Sequence, residues 1–181
     1  IAGGIFHTLV PSDFGLGPGA LSCQLTPTDG EDEGASVMSE EAVIVNEAPS
    51  ISSVTLGPQP ATSSATLSCT AEGVDDPDGD AVELLYEWSV AGVTLAEQSE
   101  ATLLPEHFSK GDLVVCIVTP SDSITLGSPV PSQSLIIANS PPSVSSVTLS
   151  PTVGGKLTAF VCEAQGVSDP DDSDLDSVVF A

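Results

Sequence analysis

The chain has very little positive charge. Its 181 residues include 26 acidic side chains but only two basic ones, Lys110 and Lys156, for a formal net charge of −24 at neutral pH. Nucleic acid and anionic membrane surfaces are recognised through clustered Lys and Arg side chains. The charge therefore excludes nucleic acid as a natural partner and argues against docking on an anionic membrane surface. It favours cation binding in a salty or calcium-rich medium, where screening reduces self-repulsion.

Long apolar runs are missing as well. No window of about 18 apolar residues could span a bilayer, so the sequence predicts no membrane insertion. Low hydrophobicity, the mark of disordered acidic chains, is also missing, because 40% of the residues are hydrophobic. There is no initiator methionine and no signal peptide, and the ends, IAGGIF and SVVFA, look cut from something longer.

Sequence motifs of known catalytic sites are also absent. His7 and His107 are single imidazoles without an HExxH or cysteine partner, and we expect surface or packing roles for both. No GxSxG, P-loop or GxGxxG sequence occurs. We expect no enzymatic activity.

What the chain does contain is an internal repeat. Residues 46–56, NEAPSISSVTL, recur as residues 139–149, NSPPSVSSVTL, an offset of 93 residues (139 minus 46). The same offset aligns Cys69 with Cys162 and Cys23 with Cys116. The predicted organisation is a complete repeat at 46–138, preceded by the C-terminal half of a repeat at 1–45 and followed by the N-terminal half of another at 139–181.

The two halves add up to nearly one whole repeat. Their ends fall inside a predicted central strand, whereas natural domain boundaries lie in exposed linkers. Two explanations stay open: one period of a long tandem array, or a subunit whose split domain is completed by a neighbouring copy, as in donor-strand complementation. Both predict a head-to-tail fibre of identical copies.

Short β-branched runs bounded by Pro, Gly, Asp or Ser predict seven strands in the complete repeat. They lie near 51–57, 64–72, 82–90, 93–95, 101–104, 112–119 and 130–138. No capped helical stripe is present. Seven short strands in about 93 residues is typical of an immunoglobulin-like sandwich. The expected fold class is therefore all-β, with tandem Ig-like β-sandwich domains.

Four cysteines without CxxC spacing favour disulfides over a zinc site. Cys69 on the second predicted strand and Cys116 on the sixth flank Trp88 on the third, an order in which a bridge crosses two sheets against the indole. We predict a Cys69–Cys116 disulfide, stabilising the fold by roughly 4 kcal/mol. We also predict a Cys23–Cys162 disulfide across neighbouring chains or repeats. Disulfides indicate an oxidising compartment, extracellular or periplasmic; we expect an extracellular or cell-surface location.

Three stretches resemble the Ig-like and PKD-like tandem repeats of large secreted bacterial proteins. They are DDPDGDAVELLYEW at 75–88, FSKGDLVVCIVTPSD at 108–122 and NSPPSVSSVTLSP at 139–151. The cysteine pair departs from PKD-like modules, which usually lack it. The resemblance implies a stalk, an adhesin or a surface-fibre unit.

An acidic loop lies between the second and third predicted strands. It holds four carboxylates within six residues: Asp75, Asp76, Asp78 and Asp80. In an Ig-like sandwich this loop shares one end of the domain with Asp122, after the sixth strand, and with Asn46 in the incoming linker. Ca²⁺ takes six to eight oxygen ligands in flexible geometry, so we predict a calcium site from these groups. The alternative is a solvated turn, since Asp, Pro and Gly are good turn formers.

A second calcium site is predicted 93 residues later, in SDPDDSDLD at 168–176. Its ligands would be the counterparts of the first set together with added aspartates: Asp169, Asp171, Asp172, Asp174, Asn139 and Asp29. Asp29, the counterpart of Asp122, would come from across the chain boundary.

These features predict a structural protein, an extracellular filament or stalk rigidified by Ca²⁺ at domain junctions and by inter-sheet disulfides. The alternative function is an adhesin or carbohydrate-binding spacer module with a cell-surface or glycan ligand. An exposed aromatic platform would favour that function. Trp88, Tyr86 and most of the five phenylalanines are assigned to core positions instead.

Overall fold

The computed structural model describes residues 7–11, 16–171 and 179. Within these ranges the regular structure is all-β apart from 3₁₀ conformation at Pro11 and at Pro105–His107. No helix in the described residues is long and apolar enough to cross a membrane. The strands are β1 (Gly19–Leu21), β2 (Gln24–Leu25), β3 (Val37–Met38), β4 (Ala42–Ile44), β5 (Ser53–Gly57), β6 (Leu67–Glu72), β7 (Glu83–Val90), β8 (Val93–Thr94), β9 (Thr102–Leu103), β10 (Leu113–Ser121), β11 (Val130–Pro131), β12 (Leu135–Ile136), β13 (Ser146–Ser150) and β14 (Val161–Gln165).

Residues 46–138 form two antiparallel sheets around one hydrophobic core. The first sheet has the order β5-β6-β9 and the second has the order β11-β10-β7-β8, with β12 also pairing with β10. Side chains alternate along the strands, so that Leu67 and Cys69 on β6 face inward while Ser68 is exposed. The predicted all-β, sandwich-like fold is confirmed.

The predicted Cys69–Cys116 disulfide is present and links β6 of one sheet to β10 of the other. Its Cα atoms are 6.3 Å apart. Trp88 on β7 is fully buried, and its indole N–H donates to the carbonyl oxygen of Glu100 at 2.8 Å. The bridge and the indole therefore occupy the centre of the core, which has few other aromatic side chains.

The last predicted strand, 130–138, is divided into β11 and β12. Ser132 lies between them, and its backbone N–H donates to the carbonyl oxygen of Cys116 at 2.8 Å. The Cys116 N–H donates to the Ser132 hydroxyl at 3.1 Å. Because a side-chain oxygen takes the place of a backbone carbonyl, the regular ladder is interrupted there.

The flanking segments form hairpins that repeat pairings of the central sheets. β1 pairs with β4, β2 pairs with β3, and β13 pairs with β14. The Leu149–Cys162 pair on β13 and β14 corresponds to Leu56–Cys69 on β5 and β6 at the offset of 93 residues. Cys23 and Cys162 are exposed free thiols in this single chain. Their bond across chains stays a prediction, as does the division into one complete and two half domains.

Candidate functional site at the entrance of the central sandwich

The acidic loop is a turn organised by Asp76. Asp76 Oδ1 accepts hydrogen bonds from the backbone N–H groups of Asp78 at 2.9 Å and Asp80 at 3.2 Å. Gly79 has a φ of 79°, a conformation that glycine adopts without strain. One oxygen of Asp76 therefore performs the turn-forming role expected of Asp in such loops.

The incoming linker is hydrogen-bonded to this loop. The backbone N–H of Glu47 donates to Asp78 Oδ2 at 2.7 Å. Ser50 and Asp75 exchange two backbone hydrogen bonds, of 2.8 and 3.0 Å. Charged acceptors make the stronger hydrogen bonds, so the Glu47–Asp78 contact is a specific link between linker and loop.

Asn46 joins the linker to the loop that follows β10. Its side-chain Nδ2 donates to Asp122 Oδ2 at 2.8 Å and to the Thr125 hydroxyl at 2.9 Å. Asp122 Oδ1 also accepts the backbone N–H groups of Ile124 at 2.7 Å and Thr125 at 2.6 Å. The Asn46 amide, followed by the Thr125 N–H, lowers the pKa of Asp122 from 3.8 to about 2. The three segments that the sequence analysis expected to converge are thus joined by hydrogen bonds.

Two buried oxygen atoms at this entrance lack a hydrogen-bond donor. They are Asn46 Oδ1 and Asp76 Oδ2. An unpaired buried acceptor is destabilising, and oxygen acceptors are the ligands that Ca²⁺ binds. Among the described residues no group of three His, Cys, Asp or Glu side chains is arranged to hold a metal ion. A cation here would therefore need amide or carbonyl oxygens beside the carboxylates, and Asn46 Oδ1 fits that requirement.

A cleft of about 420 Å³ opens beside Asn46 and the acidic loop. It is lined by Asn46, Asp78 and Asp80 on one side and by Leu16 and residues 17–18 of the first hairpin on the other. Asp75, Asp78 and Asp80 are exposed. The entrance therefore combines exposed carboxylates with buried, unpaired oxygens at the point where two segments meet.

The entrance that follows the central sandwich repeats several of these contacts. The Ser140 N–H donates to Asp171 Oδ2 at 2.6 Å, as Glu47 does to Asp78. The Asp171 N–H donates to Asp169 Oδ1 at 2.7 Å, as Asp78 does to Asp76. The Asn139 amide donates to the Ser140 carbonyl oxygen at 2.8 Å. Asp172 and Asp174 lie outside the described residues.

Asp171 also contacts the central sandwich. The Ser63 hydroxyl donates to Asp171 Oδ1 and lies 2.9 Å from the Ser140 hydroxyl. The pKa of Asp171 is lowered, first by the Ser63 hydroxyl, then by the Ser140 N–H, with Lys110 adding a favourable charge. The sequence analysis did not identify Ser63, Ser140 or Lys110 as site residues. Only Lys110, as one of two cations in the chain, carried a signal that could have drawn attention to it.

Asp29 forms the same turn as Asp122 without the asparagine. Asp29 Oδ1 accepts the backbone N–H groups of Asp32 at 2.9 Å and Glu31 at 3.0 Å, which lower its pKa. Among the described residues the structure does not join Asp29 to Asn139: Asp29 accepts from Glu31 and Asp32, and the Asn139 amide donates to the Ser140 carbonyl oxygen. The chain matches no protein-family model and no curated protein, so the functional argument depends on this geometry.

Proposed function

We propose that the chain is a structural segment of an extracellular filament or stalk in which Ca²⁺ stiffens the junctions between Ig-like domains. One observation carries the proposal: at each described entrance, the linker backbone is hydrogen-bonded to a carboxylate of the acidic loop that it enters. The Glu47–Asp78 bond at 2.7 Å recurs as the Ser140–Asp171 bond at 2.6 Å. A contact repeated along a chain is what a periodic fibre needs at every joint.

The junction limits bending because linker and loop share hydrogen bonds. Asn46 adds a second link, to Asp122 on the other side of the entrance. Bending the joint would break these bonds or expose their acceptors, and both changes cost free energy. Two attachment points separated across the domain end restrict rotation more than one does.

Calcium would strengthen the same joint. In this proposal Asn46 Oδ1 and Asp76 Oδ2 would hold the ion, and water molecules and backbone carbonyl oxygens would complete its oxygen shell. The ion supplies the positive charge that the loop lacks, which reduces repulsion among its carboxylates. It would also connect the linker directly to the loop.

The disulfide and the net charge support the same function. Cys69–Cys116 closes a loop between residues 47 apart, which restricts unfolding of the domain. Such bonds persist in oxidising compartments, which supports an extracellular location. The charge of −24 would keep neighbouring fibres apart. An adhesin or sugar-binding module has less support, because Trp88 and Phe108 are buried and Tyr86 packs against the core.

Calcium titration calorimetry on the full chain, combined with single-molecule bending measurements, tests this function. Asp76→Asn keeps the Oδ1 acceptor of the turn and replaces the Oδ2 atom with an amide. We expect it to weaken Ca²⁺ binding about tenfold or more, since carboxylate charge sets calcium affinity. Glu97→Gln, an exposed site elsewhere in the domain, is the control and should bind normally.

In the bending experiment, a calcium chelator should make the wild-type chain more flexible and leave the Asp76→Asn chain nearly unchanged. Equal stiffness of the wild-type chain with and without chelator would contradict the proposed role of calcium.

A further inference from the structure

Side chains that are buried in the central sandwich have exposed counterparts in the last hairpin. Val54 and Leu56 on β5 are 6% and 4% exposed. Val147 and Leu149, at the same positions of β13, are 58% and 56% exposed. Since β5 buries these positions against β10 and β11, the face of β13 lacks the sheet that its sequence pattern anticipates.

The hairpins that precede the central segment also expose a side chain whose counterpart in the central sandwich is buried. Val118 on β10 is fully buried, whereas Leu25, its counterpart on β2, is 57% exposed. The last hairpin shows the same difference at another position: Leu67 on β6 is fully buried, whereas its counterpart Phe160, next to β14, is 47% exposed. Residues 16–45 thus resemble the β10–β11–β12 side of the sandwich, and residues 139–171 resemble the β5–β6 side. Each segment therefore corresponds to the side of the sandwich that would cover the exposed apolar face of the other.

A glycine indicates the same missing contact. A Cβ atom at Gly127 would overlap the carbonyl oxygen of Pro49, so the linker can pass there only because residue 127 is glycine. Gly34 is its counterpart, and the three atoms nearest to a Cβ there all belong to Pro27. The segment equivalent to Pro49 is Pro142, in the last part of the chain. The linker contact that Gly127 makes is therefore not among the nearest contacts of Gly34 in the single chain.

The two partial faces leave the central sandwich at opposite ends. At the start of the central segment, Asn46 is hydrogen-bonded to the loop that follows β10 and Glu47 to the loop that follows β6. Ser140, which follows the segment, is bonded to Ser63 in the connection that precedes β6. A six-residue strand such as β6 is about 20 Å long, so the sandwich separates the two faces within one chain.

We propose that residues 16–45 of one copy pack against residues 139–171 of a second copy, forming another sandwich at each boundary between chains. This inference rests on the proposed filament function and names its partner: a second copy of this chain, bound head to tail. The contact is heterologous, so every copy keeps one free face of each kind and the assembly extends. Asn139 would then reach Asp29, as Asn46 reaches Asp122 in the complete domain.

The same packing would bring Cys23 of one copy next to Cys162 of the other. Their counterparts Cys116 and Cys69 are bonded, with Cα atoms 6.3 Å apart. Forming the bond joins the two sulfur atoms, releases two protons and transfers two electrons to an oxidant. Oxidised glutathione is a sufficient oxidant, because each molecule is reduced to two thiols in the exchange.

Mixing two single-cysteine variants tests the proposal. Cys23→Ser retains only the Cys162 thiol and Cys162→Ser retains only the Cys23 thiol, with Cys69–Cys116 intact in both. With oxidised glutathione, an equimolar mixture should give a covalent dimer containing one chain of each variant. The wild-type chain should give a ladder of longer species. Mass spectrometry of one isotope-labelled variant identifies the partners.

Each variant alone should stay without a protein–protein disulfide. Dimers of one variant with itself, or a Cys23–Cys162 bond within a single wild-type chain, would overturn the proposal. So would a mixture that forms no mixed dimer while Trp88 fluorescence shows that both chains are folded.

Non-covalent association provides a second readout under reducing conditions. Leu149→Asp places a charge on the proposed contact face and should weaken self-association, measured by sedimentation, about 30-fold or more. Val43→Asp is the matched control, since Val43 and its counterpart Ile136 are both exposed. Equal association of the two variants would contradict the proposed face. Calcium binding at Asp76 is measured on the single chain, so failure of the interface and failure of the calcium site give different results.

Discussion

The central segment and its two flanking segments share sequence and strand pairing but differ in burial. Leu56 pairs with Cys69 and Leu149 pairs with Cys162 in the same register, yet only the first pair lies in a core. Hairpin pairing depends on residues close in sequence, so it forms in both places. Core burial requires a second sheet, which only the central segment has within the described chain.

The turns at Asp122 and Asp29 show the same difference between the two regions. Asp122 and Asp29 each accept two backbone N–H groups three residues or fewer along the chain. Asp122 is buried and receives the Asn46 amide in addition, whereas Asp29 is exposed. The local turn is thus encoded within a few residues, and the electrostatic environment of the carboxylate depends on the distant linker.

The largest expected difference comes from truncating one core position in both regions. Leu67→Ala should lower the free energy of unfolding by about 2–5 kcal/mol, because it leaves a cavity in a packed core. Phe160→Ala, at the corresponding position, should change it by less than about 0.5 kcal/mol in the dilute chain. Urea unfolding monitored by the fluorescence of Trp88, the single tryptophan, measures both.

This comparison would fail if Phe160→Ala destabilised the dilute chain as much as Leu67→Ala does. Such a result would mean that the last hairpin shares the core of the central sandwich, in conflict with the exposure of Phe160.

A smaller effect is expected at Asp122 and Asp29. The folded pKa of Asp122 lies below the ordinary value, so its contribution to stability is complete above pH 3.8 and is lost as pH falls to about 2. Asn46→Ala removes the largest cause of the shift. It should raise the pKa of Asp122 and reduce the loss of stability over that pH range.

Carboxyl-carbon NMR titration in the presence of a chelator measures both groups. Asp29 is the internal control, and its pKa should be the same in wild type and Asn46→Ala because backbone N–H groups lower it. An unchanged Asp122 pKa in the variant would show that the Asn46 amide is not the main cause.

Much of the fold could be predicted from alternation and turn residues. The strand positions and the Cys69–Cys116 bond followed from the order of apolar runs, cysteines and Trp88. The break at Ser132 could not, because a buried serine hydroxyl that replaces a backbone acceptor has no periodic signature. Likewise, the contact of Ser63 with Asp171 joins residues 108 apart and depends on tertiary placement.

For the candidate site, the sequence indicated which segments converge but not how their oxygens are used. Asp76 Oδ1 and Asp78 Oδ2 accept backbone N–H groups, so these atoms are not free carboxylate ligands. The two oxygens of Asp76 differ: Oδ1 forms the turn, while Oδ2 is buried and unpaired, and calcium binding there stays a prediction. Residue types alone could not make that distinction.

Native-state hydrogen exchange at several protein concentrations tests the central claim most directly, that the flanking hairpins are parts of a sandwich completed by a second copy. At low concentration, the amides of β10 should exchange only through global unfolding, whereas those of β2 and β13 should exchange through local opening. Raising the concentration should slow exchange in β2 and β13 together and leave β10 unchanged. Protection of β2 and β13 equal to that of β10 in the dilute chain, or independent of concentration, would contradict the claim.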